Sequence, residues 1–333
     1  VEQIIAEAPD INEIDATPSG YMSTVLDAKG NVTAQLVGTG SNRVYVTLDE
    51  IPEELQKAFV AIEDERFYDH NGIDLRGIVR AGIKGVTTGH FSEGASTITQ
   101  QLLKNNVFDG WTTENSSQRV KRKLQEQYLA LQLEKKVSKD WIMENYLNTI
   151  NLGQNTLGVQ AASRRYFGKD VSELNLSECA VIAGITQNPS KYNPISHPED
   201  NAVRREKVLT NMRDQGYIDD VQYEAAMQDN VYDRIQETNT KWQSSDSNAT
   251  SYFVDALTEE IIDDLQKKLD YSEAQAYKAL YSGGLTIYST QDPQIQEICD
   301  TQVNDDNNYN IEKKISFSYA LSVQQPDGSV NHY

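Results

Sequence analysis

Two short polar segments carry the residues best suited to chemistry on a charged, hydroxyl-rich substrate. The first reads EDERFYDHNG over residues 63–72, and the second reads GASTITQQLLKN over residues 94–105. Two more follow, RKLQE at 122–126 and KDWIMENYLN at 139–148. Carboxylates can move protons, amides and hydroxyls bind sugars, and cations bind phosphate. The four segments together therefore suit a site that handles a charged, hydroxyl-rich substrate.

Glu63 is the expected catalytic base. Phe59 and Ile62 lie beside it in a helical pattern, and a carboxylate at the mouth of an apolar pocket suits proton abstraction. Phe67 and His70, two candidate substrate-binding residues, would share its face if the helix continues to a stop at Gly72. His70 is expected to form hydrogen bonds rather than carry a proton. The alternative is a surface helix with ordinary exposed acids.

The second segment supplies hydroxyl, amide and ammonium groups. Lys104 follows Gln100 by four residues, so both lie on one helical face, where the ammonium group can neutralise a pyrophosphate oxygen. Capping of the helix is the alternative function for Thr97 or Thr99. The candidate substrate-binding residues here are Ser96, Thr97, Gln100, Gln101, Lys104 and Asn105.

The third segment forms a basic helical face. Arg119, Arg122 and Glu126 have the spacing of one face, and residues 119–139 hold seven bases against two acids. Arg122 can bind two phosphate oxygens at once. A salt-bridged exposed face is the alternative. The fourth segment is expected to be mostly architecture, with Asn148 as its member that reaches the site.

The composition excludes one class of partner. The net charge is −20, and the flanks 1–60 and 246–306 hold ten acids against three bases and thirteen against three. A nucleic-acid partner needs clustered basic charge, so none is expected. The sequence has no run of eighteen apolar residues and no signal peptide. The two cysteines have no spacing typical of zinc ligands.

The pattern of apolar residues predicts helices between short β elements. Helical periodicity runs from Pro52 to about Gln228, and the polar residues 236–251 are expected to be a linker. The other predicted elements are a strand–turn–strand within 20–37, a third strand at 43–48, helices over 252–269 and 272–281, a strand at 284–290, a helix from Pro293, and a strand with a turn within 316–330.

Taken in order, the four segments resemble the glycosyltransferase domain of class A penicillin-binding proteins, over about residues 46–230. The resemblance implies a mainly α, lysozyme-like fold with small β elements at the N-terminal flank and in the C-terminal linker region. It implies a β-rich flank at 1–48, a glycosyltransferase domain at 49–235, and a linker with the start of a transpeptidase region at 236–333. No Ser-x-x-Lys or Lys-Thr-Gly motif occurs in the sequence, so this chain is not expected to react with penicillin.

The same resemblance implies that the protein polymerises lipid II into glycan strands with inversion and releases undecaprenyl pyrophosphate. The second essential glutamate of the family falls on Glu126, which would orient other groups, hold a metal or position Arg122. No cofactor is certain, and a divalent cation, Mg²⁺ or Mn²⁺, is left open. Phosphoglycolipids such as moenomycin would bind in the donor cleft.

The resemblance also implies a location and partners. The full-length protein would be anchored by an N-terminal helix at the extracytoplasmic face of the bacterial membrane. Its partners would be lipid II, the growing glycan strand, the membrane surface and other cell-wall synthesis proteins. The glycine-rich, basic and apolar segment 73–93 is expected to contact the membrane, with an ordinary loop as the alternative. Two rival functions stay open, a lysozyme-like glycan hydrolase and a non-catalytic scaffold of the cell-wall machinery.

Overall fold

A computed structural model describes most of the chain. The described residues are 2–38, 43–80, 96–108, 114–154, 156–244, 251–271, 273–303, 305–308, 322–324 and 330–332. They form a mainly helical fold with short strands, which confirms the predicted class. Two units are distinguished, one of residues 1–26 and 32–287 and one of residues 27–31 and 288–333.

Helices build nearly all of the first unit. Their bounds are α1 Glu2–Ala6, α2 Glu53–Glu63, α3 75–80, α4 Ile98–Val107, α5 Ser116–Leu133, α6 Lys139–Leu147, α7 Val159–Phe167, α8 Leu176–Ile185, α9 Pro198–Asp214, α10 Asp220–Gln228, α11 Val231–Ser244, α12 Tyr252–Leu269 and α13 Glu273–Ser282.

Helix α8 lies at the centre of the core. It packs against α2 and α9. Its residues Ser177 to Ile185 are all buried. A helix that is apolar on every side must be enclosed by other elements, and the sequence LSECAVIAGI meets that condition. Phe59 of α2 and Met212 of α9 are fully buried in the same core. This packing brings the C-terminal ends of α2 and α8 to one side of the first unit.

A second layer of helices carries the other polar segments. Helix α4 packs against both α5 and α6. Its buried Leu102 and Leu103 contribute to the main core together with Leu129 of α5 and Met143 of α6. The polar residues of α4 and α5 are thereby held next to the end of α2.

A small sheet completes the first unit. Strands β1 (Ser23–Leu26) and β2 (Val32–Leu36) pair antiparallel, and β3 (Thr286–Tyr288) joins β1 at its other edge. Val25 and Leu36 are buried against Val254 of α12 and Leu280 of α13. The predicted hairpin and the predicted helices at 252–269 and 272–281 are therefore confirmed.

The second unit is smaller. Helix α14 (Pro293–Val303) begins with proline at its first position, as predicted, and Asp292 Oδ1 accepts hydrogen bonds from the backbone nitrogens of Gln294 and Ile295. Strands β4 (Ser322–Gln324) and β5 (Val330–His332) pair antiparallel. Strand β4 lies within the strand and turn predicted over 316–330, and β5 begins at the last residue of that segment, whose other residues lie outside the described ones.

Two predicted elements are wrong. Residues 43–48 do not form a strand, because the Asn148 side chain occupies the backbone groups of Val46. Val46 N donates to Asn148 Oδ1 at 3.0 Å, and Asn148 Nδ2 donates to the Val46 backbone oxygen at 2.8 Å. Residues 236–244 of the predicted linker belong to helix α11. That helix is anchored by Ile235, which is fully buried, and by Asn239 Oδ1, which accepts a 2.9 Å hydrogen bond from Arg165.

Candidate functional site

Glu63 is the last residue of α2, and its carboxylate is held by donors from two other helices. Gln101 Nε2 of α4 donates to Oε2 at 3.0 Å, and the Thr186 hydroxyl at the end of α8 donates to Oε1 at 2.6 Å. Arg204 of α9 brings Nη2 to 3.9 Å from Oε1. The side chain is 14% exposed, so it is sheltered but still open to a substrate.

The neighbouring Asp64 has a different environment. Its carboxylate accepts a 3.0 Å hydrogen bond from the backbone nitrogen of Ile98 at the start of α4, and it faces His70 Nε2 at 2.9 Å. Gly72 N donates to His70 Nδ1 at 3.1 Å, which assigns the ring proton to Nε2. His70 therefore forms hydrogen bonds within the protein, and its contact with substrate stays a prediction.

This network also explains why α2 ends early. The expectation that the helix continues through Phe67 and His70 to Gly72 is wrong, since α2 ends at Glu63 and Asp64 leaves helical geometry with φ −155°. The Asp64 side chain must turn toward α4 and His70, and a continuing helix would direct it elsewhere. Residues 65–70 instead form turns.

Phe67 lies in the core below the site. Its ring is fully buried, contacts the Tyr68 ring edge-on at 4.9 Å between centroids, and lies 4.4 Å from the Lys139 ammonium group. These contacts are all within the protein. The prediction that Phe67 touches substrate stays a prediction.

The second segment caps α4 and lines the site. Thr97 is the N-cap: its hydroxyl accepts from Gln100 N at 3.2 Å, and Thr97 N donates to Gln100 Oε1 at 3.1 Å. Thr99 donates to Glu134 Oε1 at 2.5 Å. Capping thus accounts for Thr97 and Gln100. Gln101 reaches Glu63 directly, and Asn105 lies half-buried further along the same helix.

The third segment forms a compact charged cluster. The Glu126 side chain is fully buried, and its two oxygens accept from Arg122 Nη1 and, at 2.8 Å, from Lys123 Nζ. Lys123 Nζ also donates to Ser96 Oγ at 2.9 Å, which joins the second and third segments. Glu126 thus positions two cations.

Arg122 is bound on its other side by Glu114. Arg122 Nε donates to Glu114 Oε2 at 2.8 Å, and Nη2 bonds Oε1 of the same carboxylate. Those bonds lower the pKa of Glu114 and raise the pKa of Arg122, against the opposing effect of burial in each case. Arg119 is more peripheral, with 67% of its side chain exposed and Nε 3.5 Å from Glu114.

Lys104 is half-buried on α4, where the charges of Glu63 and of the cluster both act on its ammonium group. Burial lowers its pKa, and the positive charges of Lys123 and Arg122 lower it further, while Glu126 and Glu63 raise it. An ammonium group in such a setting gains from an incoming anion, because the anion replaces lost hydration and offsets the neighbouring cations.

Asn148 lies apart from this set. Its amide is fully buried and, besides its two bonds to Val46, donates to the backbone oxygen of Glu144 at 2.9 Å. Within the described structure its contacts are architectural, and its contact with substrate stays a prediction. Five of the predicted residues lie at Glu63 or in the charged cluster beside it, and Asn148 does not. They are Gln101, Lys104, Ser96, Arg122 and Glu126.

Sequence reasoning missed three members of the site. Thr186 and Arg204 lie over a hundred residues from Glu63 in the chain and belong to none of the four segments. Glu114 lies eight residues before Arg122, outside the recognised segment. A helix-end hydroxyl has no local signal for a distant partner, so only the three-dimensional packing could reveal Thr186.

A pocket of about 610 Å³ is lined by later residues of the first segment and by residues that follow it. Its lining includes Arg66, His70, Asp74, Leu75 and Leu131, and it does not include Glu63 or Lys104. Asp74 is held by Arg66, whose Nε donates to Oδ1 at 3.2 Å. The pocket is therefore distinct from the cluster around Glu63.

Two features are absent from the described ranges. No group of three or more His, Cys, Asp or Glu side chains there could hold a metal ion. None of the helices in that part of the chain is both long enough and apolar enough to cross a membrane.

Comparison with known proteins gives a consistent result. The chain is 39% identical over 326 residues to penicillin-binding protein 1A of Clostridium perfringens (strain 13 / Type A), covering 93% of this chain and 46% of that protein. It is 36% identical over 304 residues to penicillin-binding protein 1A/1B of Bacillus subtilis (strain 168), covering 91% and 31%. The chain thus spans less than half the length of these relatives.

A crystal structure of penicillin-binding protein 1A from Haemophilus influenzae aligns with 86% of this chain and 29% of its own, at 20% identity and a TM-score of 0.38. A sequence profile described as transglycosylase matches residues 29–213. The domain limits at 49 and 235 stay a prediction. Because the profile covers more than half of the chain and includes all four polar segments, the chain belongs to the transglycosylase family.

Proposed function

We propose that this chain is a peptidoglycan glycosyltransferase that extends glycan strands from lipid II with inversion at the sugar carbon. The observation that carries the proposal is the junction of the site's segments: Gln101 of α4 bonds Glu63, Lys123 bonds both Ser96 and Glu126, and the half-buried Lys104 feels the charges of Glu63, Glu126, Lys123 and Arg122. A base and a phosphate-binding cluster next to each other are what transfer from a lipid pyrophosphate requires.

In the proposed reaction the acceptor hydroxyl oxygen attacks C1 of the donor sugar. A new C1–O bond forms as the bond between C1 and the pyrophosphate oxygen breaks, and Glu63 takes the hydroxyl proton. Each carboxylate oxygen of Glu63 accepts one hydrogen bond within the protein, which leaves a lone pair for the proton of the acceptor hydroxyl. The pyrophosphate leaves with its negative charge, and Lys104, Lys123 and Arg122 stabilise that charge.

Glu126 acts in this scheme by positioning cations. Its buried carboxylate is bonded to Arg122 and Lys123, so it keeps both side chains oriented toward the donor phosphates. A divalent cation, Mg²⁺ or Mn²⁺, stays an open proposal that rests on the family resemblance alone.

The proposed setting is the extracytoplasmic face of a bacterial membrane. Lipid II, the growing strand and the membrane surface are the proposed partners, together with other cell-wall synthesis proteins. Support comes from family membership and from the exposed apolar side chains of Leu75 and Val79 on α3, next to Arg76 and Arg80.

Incubation with labelled lipid II and, separately, with finished peptidoglycan tests the proposal. We expect lipid II to be converted into long glycan with release of the pyrophosphoryl lipid, and peptidoglycan to stay unchanged. Release of new reducing ends from peptidoglycan without consumption of lipid II would identify a hydrolase instead. Loss of neither substrate would identify a scaffold.

A further inference from the structure

The Glu63 carboxylate occupies an electrostatically unfavourable position. It is the last residue of α2, and the C-terminal end of a helix carries partial negative charge. The chain compensates by bringing donors from elsewhere, namely Gln101 from α4 and Thr186 from the end of α8. Gln101 comes from a polar segment of the site, whereas nothing in the sequence pattern marks Thr186.

The Thr186 hydroxyl has one hydrogen and two acceptors within reach. Glu63 Oε1 lies at 2.6 Å, and the backbone oxygen of Ala183 lies at 3.0 Å. A hydrogen bond to a carboxylate is shorter and stronger than one to a neutral carbonyl. The Thr186 hydroxyl therefore donates its hydrogen bond to Glu63 and not to Ala183. The helical Thr186 backbone, with φ −53° and ψ −42°, fixes the origin of this bond.

We propose that Thr186 is a positioning residue that holds the Glu63 carboxylate in the orientation from which it accepts the proton. With Thr186 on Oε1 and Gln101 on Oε2, both oxygens are restrained and the carboxyl plane cannot rotate freely. Removing one restraint lets the carboxylate turn or move toward Arg204, which lies 3.9 Å from Oε1. The inference rests on the proposed function of Glu63 as the base.

Thr186→Val tests the inference, because valine keeps the shape of threonine and removes the hydroxyl. We expect kcat with labelled lipid II to fall about tenfold, the range for a lost hydrogen bond to a charged group, with KM changed less than about twofold. Thr186→Ser restores the hydroxyl, and we expect it to recover most of kcat.

Thr240→Val is the matched control. Thr240 is exposed on α11, and its hydroxyl donates to the Gln236 backbone oxygen at 2.9 Å, much as Thr186 can donate to Ala183. It has no carboxylate partner among the bonds of the described residues. We expect Thr240→Val to keep the parent kcat.

Glu63→Gln in the same assay separates the two claims. If Thr186 acts through Glu63, adding Thr186→Val to Glu63→Gln lowers the residual rate no further. Parent-like kcat in Thr186→Val beside an inactive Glu63→Gln overturns the inference alone, as does a serine variant as slow as the valine variant. Parent-like turnover by Glu63→Gln overturns the base assignment and the inference with it.

Discussion

Adjacent carboxylates in the first segment have different surroundings. Asp64 is bonded to a backbone N–H and to His70, and its side chain is 2% exposed, so it holds structure together. Glu63 is bonded to two side chains and remains 14% exposed, so it can meet a substrate. The sequence shows two acids in a row, and the contacts show how the surroundings of the two differ.

Lys104 provides a prediction at the same scale. Lys104→Met keeps the apolar stem and removes the charge, so we expect binding of a moenomycin-type phosphoglycolipid to weaken roughly tenfold at low salt and less at high salt, because the contact is between charges. In the parent, binding should also weaken as pH rises through the lysine pKa, which burial places below its ordinary value of 10.5. Titration by fluorescence measures both effects.

Lys207→Met is the control for Lys104→Met, since Lys207 is exposed on α9. Equal affinity in parent and Lys104→Met at low salt would leave the basic cluster without a function in donor binding.

Residue types in the site were largely predictable, but their partners were not. Glu63, Lys104, Arg122 and Glu126 could be selected because each lies in a short segment with suitable neighbours. The bond from Thr186 to Glu63 joins residues 123 positions apart. Such a contact depends on how α2 and α8 pack, which no local pattern specifies.

At the scale of elements, local signals predicted helix ends well. The sequence itself indicates a cap at Ser138 and a capping box at Asp219 and Gln222. In the structure Ser138 Oγ accepts from Trp141 N at 3.1 Å, and Asp219 and Gln222 form the capping box. Both caps depend only on residues three apart. The end of α2 and the failure of the strand at 43–48 depend instead on distant partners, Ile98 for Asp64 and Asn148 for Val46.

Gly72 shows why helix α5 can approach the first segment so closely. It has φ +95°, and a Cβ there would lie 2.6 Å from the backbone of Ala130 in α5. Gly216, just after α9, has φ +77° but open space around it. The two glycines therefore share a left-handed backbone and differ in crowding.

Substitution of each glycine by alanine separates these two effects. We expect Gly216→Ala to lower the free energy of unfolding by about 1–2 kcal/mol through the left-handed backbone alone. Gly72→Ala should cost about 1–3 kcal/mol more, because the added methyl group overpacks against α5. Urea unfolding followed by circular dichroism measures both. An equal decrease in the free energy of unfolding in both variants would show that α5 moves to accommodate the methyl group.

At the scale of the whole molecule, charge and exposed apolar groups are unevenly distributed. Acidic residues dominate the two flanks, whereas residues 119–139 are basic. Leu75 and Val79, at 70% and 60% exposure, lie four residues apart on α3 beside two arginines. Residues 81–93 of the segment predicted to contact membrane lie outside the described residues.

Leu75→Ser combined with Val79→Ser tests the membrane prediction on described residues. We expect weaker sedimentation with vesicles of anionic phospholipid, because the variant loses apolar groups that would enter the interface and keeps the arginines. Val203→Ser with Val221→Ser, which removes two equally exposed apolar groups elsewhere, should bind as the parent does. Identical sedimentation of all three proteins would contradict a membrane function for α3.

The central claim is that Glu63 is the base of a glycosyl transfer, and turnover of labelled lipid II by Glu63→Gln tests it most directly. Glutamine keeps the shape of the side chain but cannot take the proton, so the account predicts a rate at least about a hundredfold below the parent's. The unfolding midpoint should stay close to that of the parent. Polymerisation at a near-parental rate by a folded Glu63→Gln variant would contradict the account.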